Sequence, residues 1–235
     1  MDLQEIFDHL AYGELSHLYL GDAGGSKISE RDYRKIVSHI NLGLLDLYTY
    51  FPIKESEVII EQIDGVKNYL LDRKHAESNT ESMDRKWIKD TILNPFKNDI
   101  LKIEEVYRAN NESVPLNNNN DDRSFFTPVY NVIQIPDVHP EELLAIIYQA
   151  RHPKLVVPKD NNIEGIQIEL PDILIEPLCI YVHSKITAGM GSENSLNESL
   201  MLQQRYIGLL RDFRTREIIN RDNPTNIKLG ERGWV

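Results

Sequence analysis

Apolar residues near the start of the chain recur at the three- and four-residue spacing of amphipathic helices. One such run covers residues 2–20 and precedes a glycine-rich turn. A second extends from Tyr33 to Phe51, where Pro52 removes the N–H that another helical turn needs. Residues 1–55 are therefore predicted to form a helical hairpin.

Beyond residue 55 the pattern changes to the alternation and short apolar runs of strands. The segments EVIIEQ and VKNYLL flank Asp64-Gly65, which predicts a two-residue hairpin turn between them. The polar stretch HAESNTESMD is expected to pack against nothing, and a long polar loop is expected near 109–124. Further strands are predicted at Ile100–Tyr107, Val129–Ile135, Leu143–Ala150 and Gly165–Glu169. Residues 56–169 are thus predicted to be an inserted antiparallel β-domain.

The helical period returns over residues 170–222. Pro171 suits the first turn of a third helix, and Pro177 is expected either to kink that helix or to move its start. The predicted buried face of this helix is Leu174, Leu178, Tyr181, Val182 and Ile186. The apolar positions of a fourth helix are Leu196, Leu200, Tyr206, Ile207, Leu210 and Phe213. Residues 223–235 are predicted to form an extended tail without regular structure.

Two serine-centred patterns predict helix starts. Ser29 with Asp32 is a weak capping box before the second helix, and Ser195 with Glu198 is an S-x-x-E capping box before the fourth. Because each of the four helices has one apolar face that must be covered, the helices are expected to pack together as a bundle. The predicted fold class is therefore α+β, a helical bundle from the N- and C-terminal segments with an inserted antiparallel β-domain.

Composition excludes several classes of protein. The 235 residues are 41% hydrophobic and 27% charged, close to the globular average, which excludes extensive disorder and collagen-like chains. No apolar run approaches the ~20 residues of a membrane helix, and the start does not look like a signal peptide. A single cysteine, Cys179, excludes an internal disulfide framework and suggests folding in a reducing cytoplasm.

The chain is acidic, with 26 Lys and Arg against 37 Asp and Glu, a net charge of -11. Proteins that grip duplex DNA by its phosphates carry a basic footprint, so DNA wrapping is not expected. An acidic wall remains compatible with a channel through which DNA slides. Solubility alone also explains such a charge.

Catalytic and metal-binding motifs are not found in the sequence. The segment from Gly21 to Lys27 resembles a phosphate loop but has Ser26 where glycine must precede the lysine. Histidine spacings match no zinc motif, and Asp121-Asp122 lies in a polar loop that cannot preorganise a catalytic pair. Cys179 is predicted to be a buried, inert thiol. The sequence therefore predicts no enzyme, no cofactor and no metal.

The charge balance reverses toward the C-terminus. From Glu198 to Arg232 there are seven basic and five acidic residues. Trp234 follows as a large apolar anchor, and Trp and Arg are enriched at binding hot spots. The tail is therefore predicted to be a docking arm that orders on a partner.

Several stretches, taken in order, resemble one family. These are FDHLAYGELSHLYLGD with ISERDYRKIVSHINLGLLDLY, NPFKNDILKIEEVY, FFTPVYNVIQIP with IIYQARHPKL, ELPDILIEPLCIYVHSKI and NIKLGERGWV. Together they resemble the head-to-tail adaptor proteins of short-tailed phages, the connector or tail tubular type. Each is a packing or turn pattern, and their order along most of the chain carries the resemblance.

The resemblance implies a virion protein of the neck and tail, assembled in the host cytoplasm. Members form a ring, typically of twelve copies, between the portal and the next tail component (a nozzle or tail ring), and DNA passes through its channel without sequence-specific binding. The arm Asn223–Val235 would dock into the portal through Arg232, Gly233, Trp234 and Val235. The asparagine run at 117–120 departs from the family, and no membrane or cofactor is implied.

Two alternatives remain open at this stage. In the first, the chain is a monomeric carbohydrate- or protein-binding module that recognises its ligand with the β-domain. In the second, it is an enzyme with an unfamiliar site, which would need convergent titratable groups in a pocket. A ring-former should assemble on its portal through the tail, whereas a binding module should tolerate loss of the tail.

Overall fold

The computed structural model describes residues 1–15 and 28–219 and has an α+β fold, as predicted. The chain divides into two compact units. One unit contains residues 1–53 and those from 154 onward, and Lys54–Pro153 forms the other. No helix in the described ranges is both long and apolar enough to cross a bilayer.

The helical unit begins with α1, a helix at Leu3–His9, which continues into a π-helical turn at Leu10–Glu14. The longer helices are α2 at Tyr33–Tyr50, α3 at Ile175–Ala188 and α4 at Glu193–Thr215. A 3-10 turn at Asp172–Leu174 precedes α3. The apolar stripe predicted for the second helix is buried in α2, as Ile36, Val37, Ile40, Leu44, Leu47 and Tyr48.

The boundary predicted at residue 169 differs from the division into units. Residues 154–169 belong with the helices. The amide of Leu3 donates to the carbonyl of Ile166, and the amide of Ile168 donates to the carbonyl of Met1. The strand predicted at Gly165–Glu169 is therefore wrong, because this segment makes only an isolated bridge, Asp2 with Gln167.

Both predicted helix caps are misplaced by three residues. Ser29 begins a turn closed by the Asp32 amide on its carbonyl at 2.9 Å, so α2 starts only at Tyr33. On α4 the cap is Ser192, whose hydroxyl accepts from the Ser195 amide while the Ser195 hydroxyl accepts from the Ser192 amide. A serine completes this box as well as a glutamate does, because either oxygen can accept from the cap amide.

Pro177 lies in the first turn of α3, which begins at Ile175. The first N–H groups of a helix have no intrahelical acceptor, so proline costs nothing there. Of the two outcomes expected for Pro177, the structure therefore has the displaced start. The predicted buried face holds at Leu174, Leu178, Val182 and Ile186, whereas Tyr181 is half-buried.

The β unit contains two antiparallel sheets. Its strands are β1 Glu55–Glu61, β2 Asn68–Leu70, β3 Ile88–Lys89, β4 Ile100–Arg108, β5 Phe126–Val129, β6 Val132–Gln134 and β7 Leu143–Ala150. One sheet has the order β3-β1-β7-β4, and the other has the order β2-β6-β5. The predicted strands that correspond to β4 and β7 are confirmed.

The hairpin predicted around Asp64-Gly65 is wrong. A turn does form there, with Gly65 at a φ of 74°, but β1 pairs with β7 along its whole length and β2 pairs with β6 in the other sheet. The single strand predicted at Val129–Ile135 is instead the β5–β6 turn, followed by β6. In both cases the strand pairing is decided by partners that are distant in sequence.

The core of the β unit lies between its two sheets and the segments that join them. It includes Val58, Ile60, Tyr69, Leu71, Trp87, Ile103, Val106, Ile133, Ile146 and Tyr148. Contrary to prediction, the polar stretch from His75 packs at its start, because Ala76 is fully buried and the His75 ring stacks on Trp87 at 3.6 Å.

Candidate interaction surfaces

The four residues predicted to bind the portal, Arg232, Gly233, Trp234 and Val235, lie outside the described residues, as does the whole arm from Asn223. The description ends at residue 219, shortly after α4. Within the described residues, α4 and the β unit carry exposed surfaces that can contact a partner.

Helix α4 covers only part of its apolar surface within the helical unit. Tyr206 and Leu210 are buried, as expected. Leu196, Leu200 and Ile207 were expected to share that face, but they are 48%, 57% and 46% exposed. The helix carries a second apolar line beside the buried one, which corrects the expectation that each helix has one face and covers it.

The exposed line on α4 lies on the side of the helix that faces α2. Leu200, Ile207 and Arg214 are spaced by seven residues, close to two full turns, so they share one face. The guanidinium of Arg214 lies 5.6 Å from the centre of the Tyr50 ring on α2. That contact orients the shared face toward α2.

A hydrogen bond extends this surface onto α2. The Tyr206 hydroxyl donates to Asp46 Oδ2 at 2.5 Å. Leu42 lies one turn before Asp46, on the same side of α2, and is 49% exposed. We call Leu42, Leu196, Leu200 and Ile207 the apolar strip.

The Tyr206 hydroxyl is held in its protonated form, and the second half of α4 is rich in arginine. Burial raises the pKa of Tyr206, and the bond to the Asp46 carboxylate raises it further, so the hydroxyl keeps its proton and donates. From Arg205 to Arg216 the helix has four arginines and one acidic residue, Asp212. The Arg205 guanidinium bonds the Glu176 carboxylate of α3 at 2.6 Å. The more basic last helix predicted from the sequence thus has its positive charge in its second half.

The residues that the sequence analysis weighed as catalytic or metal-binding candidates are not grouped into a site in the part of the chain that the structure describes. In the described ranges no three His, Cys, Asp or Glu side chains are grouped as a metal site. The Asp121 carboxylate accepts from the Arg123 amide at 3.0 Å, and this bond chiefly lowers its pKa. Asp121 therefore shapes its own loop. Cys179 is buried, as predicted.

A groove of about 420 Å³ lies in the β unit beside the first half of β1. Its apolar lining includes Val58, Phe96 and Tyr148, which are all buried in the core cluster. The carboxylate of Glu57 and the ammonium of Lys97 belong to exposed residues that also line it. The Tyr148 hydroxyl donates to Asp99 Oδ1 at 2.9 Å, and burial raises the pKa of this tyrosine.

The groove was not predicted from the sequence. The apolar residues of the strip on α4 were identified from the sequence, but they were expected to be buried. The groove left no local pattern in the sequence, because residues 56–59, residues 89–97 and Tyr148, which contribute its lining, are far apart in the chain. The strip did have a signal in the sequence. The apolar positions of the fourth helix span an arc of its surface that is too wide for a single neighbouring helix to cover.

Comparison with known proteins adds no assignment. No protein-family model matches the chain, and no curated protein matches it. Function has therefore to be inferred from these surfaces and from the resemblance noted in the sequence.

Proposed function

We propose that the chain is a structural virion protein of short-tailed phages, a head-to-tail adaptor that forms a ring between the portal and the tail and conducts DNA. The observation that carries this proposal is the apolar strip on α2 and α4. Four large aliphatic side chains on α2 and α4, which both pack on α3, are about half exposed, and the second half of α4 is rich in arginine. Grouped apolar exposure of this kind marks an interface with another protein.

The strip suits a ring contact between copies. A contact that closes a ring joins two different surfaces, one from each neighbour. The second half of α4 is basic, whereas the whole chain has a net charge of -11, so an acidic surface of the next copy is the complement. Burying apolar area contributes about 25 cal/mol per Å², so the strip supplies affinity while the charges set orientation.

The remaining parts of the proposal follow the resemblance. Arg232, Gly233, Trp234 and Val235 dock into the portal, and the β unit faces either the next tail component or the outside. The ring has twelve copies, and its acidic lumen lets DNA slide without sequence-specific binding. The protein acts without catalysis, cofactor or membrane.

Light scattering on the chain alone and mixed with the portal of its own genome neighbourhood tests the proposal. A ring-sized species with the portal supports it. Leu200→Asp should abolish that species, because it places a charge in a strip that the ring contact would bury. Met201→Asp is the matched control, since Met201 is 72% exposed on α4 but lies outside the strip. Assembly that is equally normal, or equally lost, in both variants contradicts this use of the strip.

Portal docking has a separate test. Trp234→Ala should weaken binding to the portal by ~2 kcal/mol, as expected for a hot-spot tryptophan. Titration by isothermal calorimetry measures this, with circular dichroism to confirm an unchanged fold. Unchanged affinity removes Trp234 from the contact.

A monomeric module that binds a protein or a carbohydrate through the β unit is the second candidate. The turn at Thr91–Asn94 favours a protein ligand, because it presents Ile92 and Leu93 at 81% and 98% exposure. A 27.2 kDa monomer that ignores the portal would favour this candidate.

A further inference from the structure

Strand β1 leaves one of its two edges open in its first half. On one side it pairs with β7 along its whole length. On the other side it pairs with β3 only at Ile59 and Ile60. The groove of about 420 Å³ lies beside the part of this edge that β3 does not cover. A sheet edge of this kind presents backbone groups to which another strand can add.

The backbone of Glu57 faces this groove. The Gln62 amide donates to the carbonyl of Glu142, so even-numbered residues bond toward β7. The Glu61 amide donates to the carbonyl of Trp87, so odd-numbered residues bond toward β3. The amide and carbonyl of Glu57 therefore point into the groove, where they meet no backbone partner among the described residues.

Asp90 ties the chain into a loop where β3 ends. Its carboxylate accepts from the Ser78 amide at 2.8 Å, the Ser78 hydroxyl at 2.5 Å and the Phe96 amide at 2.8 Å. These three bonds hold the loop that begins directly after Lys89, so β3 does not continue along β1. The groove is the space between that loop and β1.

The alternation of side chains on β1 defines what the groove can hold. Glu57 is exposed on one face of the strand, whereas Val58 is buried on the other. A strand bonded to the backbone of Glu57 would place one side chain beside the Glu57 carboxylate and its two neighbours on the buried face. Those neighbours would meet the apolar lining, Val58, Phe96 and Tyr148. The groove therefore fits a triplet with a polar residue between two apolar ones.

Charge selects the middle residue of the triplet. The exposed carboxylate of Glu57 makes no ion pair among the described residues, so a cationic side chain is its complement. The same edge already uses this pairing where β3 is present, because the Lys89 ammonium binds the Glu61 carboxylate at 2.5 Å. The other exposed charge of the lining is Lys97, which suits an acidic residue beyond the triplet.

The same argument disfavours a second copy of β1 at this edge. Glu55, Glu57 and Glu61 are odd-numbered, so they share one face of the strand. Two such strands paired edge to edge would bring carboxylates opposite carboxylates, and like charges directly opposite each other are destabilising. The occupant therefore has a different sequence.

Two exposed aliphatic residues at the rim indicate that the occupant belongs to a protein. Thr91 and Asn94 line the groove and close a turn, in which the Asn94 amide donates to the Thr91 carbonyl. Between them, Ile92 and Leu93 are 81% and 98% exposed. Neighbouring exposed apolar side chains are typical of a surface that another protein covers.

We propose that the β1 edge binds an extended segment of a second protein in which a lysine or arginine lies between two aliphatic residues. The backbone of the basic residue bonds the amide and carbonyl of Glu57, and its side chain pairs with the Glu57 carboxylate. The two aliphatic side chains enter the groove. This site lies within the β unit and would serve a ring adaptor or a monomeric binding module alike, so the proposal rests on neither function.

A synthetic peptide added to the full-length chain tests the strand addition. The pentapeptide acetyl-Thr-Val-Lys-Val-Thr-amide should shift the NMR signal of the Glu57 amide saturably and slow its hydrogen exchange. The matched control is the same peptide methylated on the backbone nitrogen of its lysine, which keeps the charge but loses the N–H that the Glu57 carbonyl accepts. The methylated peptide should do neither. No saturable change at millimolar peptide, or equal changes with both peptides, overturns the proposal.

A peptide with glutamate in place of the lysine tests the pairing with Glu57. It should bind the natural chain about twofold to fivefold more weakly, the range expected for a cross-strand charge pair. In Glu57→Lys the preference should reverse. Glu164→Lys makes the same change of net charge at an exposed residue of the helical unit and should keep the preference for lysine. Equal affinity of the two peptides for the natural chain, or a preference that Glu57→Lys leaves unchanged, overturns the proposal.

Discussion

The backbone of α2 lies directly against the side chains of α3 at Gly43. A Cβ placed on Gly43 would lie 2.7 Å from Leu178 Cδ1 and 3.0 Å from Tyr181 Cδ1. Carbon atoms prefer a separation of about 3.5–4.0 Å, and Leu178 is fully buried, so it has little room to retreat. Gly43→Ala is therefore expected to destabilise the helical unit.

The magnitude is the difference between two opposing effects. Replacing glycine by alanine inside a helix stabilises it by roughly 0.5–1 kcal/mol. Overpacking a close contact costs about 1–3 kcal/mol. We expect a net loss of about 1 kcal/mol, which corresponds to a fall in melting temperature of about 2–4 °C for a chain of this size.

Gly208→Ala is the matched control. Gly208 lies inside α4, is exposed, and has no heavy atom within 4 Å of the Cβ position. Only the helix-propensity effect applies there, so this variant should gain roughly 0.5–1 kcal/mol. The difference between the two variants then isolates the contact with α3.

Urea unfolding followed by circular dichroism at 222 nm measures both variants through the helical signal. The midpoint for Gly43→Ala should fall and that for Gly208→Ala should rise. A Gly43→Ala protein at least as stable as Gly208→Ala would refute close packing of α2 on α3.

Two further predictions concern buried tyrosines. Tyr148→Phe should destabilise the β unit by about 1–3 kcal/mol, because it leaves the buried Asp99 carboxylate without its 2.9 Å donor. Urea unfolding followed by Trp87 fluorescence measures this, in a Trp234→Phe background that removes the other tryptophan. An unchanged urea midpoint contradicts the prediction. Burial raises the pKa values of Tyr48, Tyr148 and Tyr206 above the ordinary 10.0. The three neutral, buried hydroxyls contribute fully to stability below pH 10.0, and this contribution is lost as the pH rises toward their folded pKa values. Alkaline titration should therefore show tyrosinate absorbance at 295 nm rising together with loss of the helical signal. Full titration near pH 10 with the helical signal intact would show that these hydroxyls are not buried.

The locations of most elements were readable from local pattern. The helical spacing from Tyr33 to Phe51 located α2, and the short apolar run at Leu143–Ala150 predicted the bounds of β7. Periodicity is a property of residues close together in sequence, so it predicts a helix or a strand without knowledge of the rest of the chain. The α+β class follows from the same signals.

Pairing and exposure were decided by the tertiary structure. Asp64-Gly65 makes a turn as its sequence indicates, yet β1 pairs with β7 about ninety residues away, because strand pairing is chosen among distant segments. Ser195 and Ser192 both suit a cap, and the structure uses the earlier one. Leu200 and Tyr206 both belong to the apolar pattern of α4, and only the position of α2 and α3 buries Tyr206 and leaves Leu200 exposed. Local sequence therefore determined which elements form, whereas non-local packing determined which of their faces remain available for function.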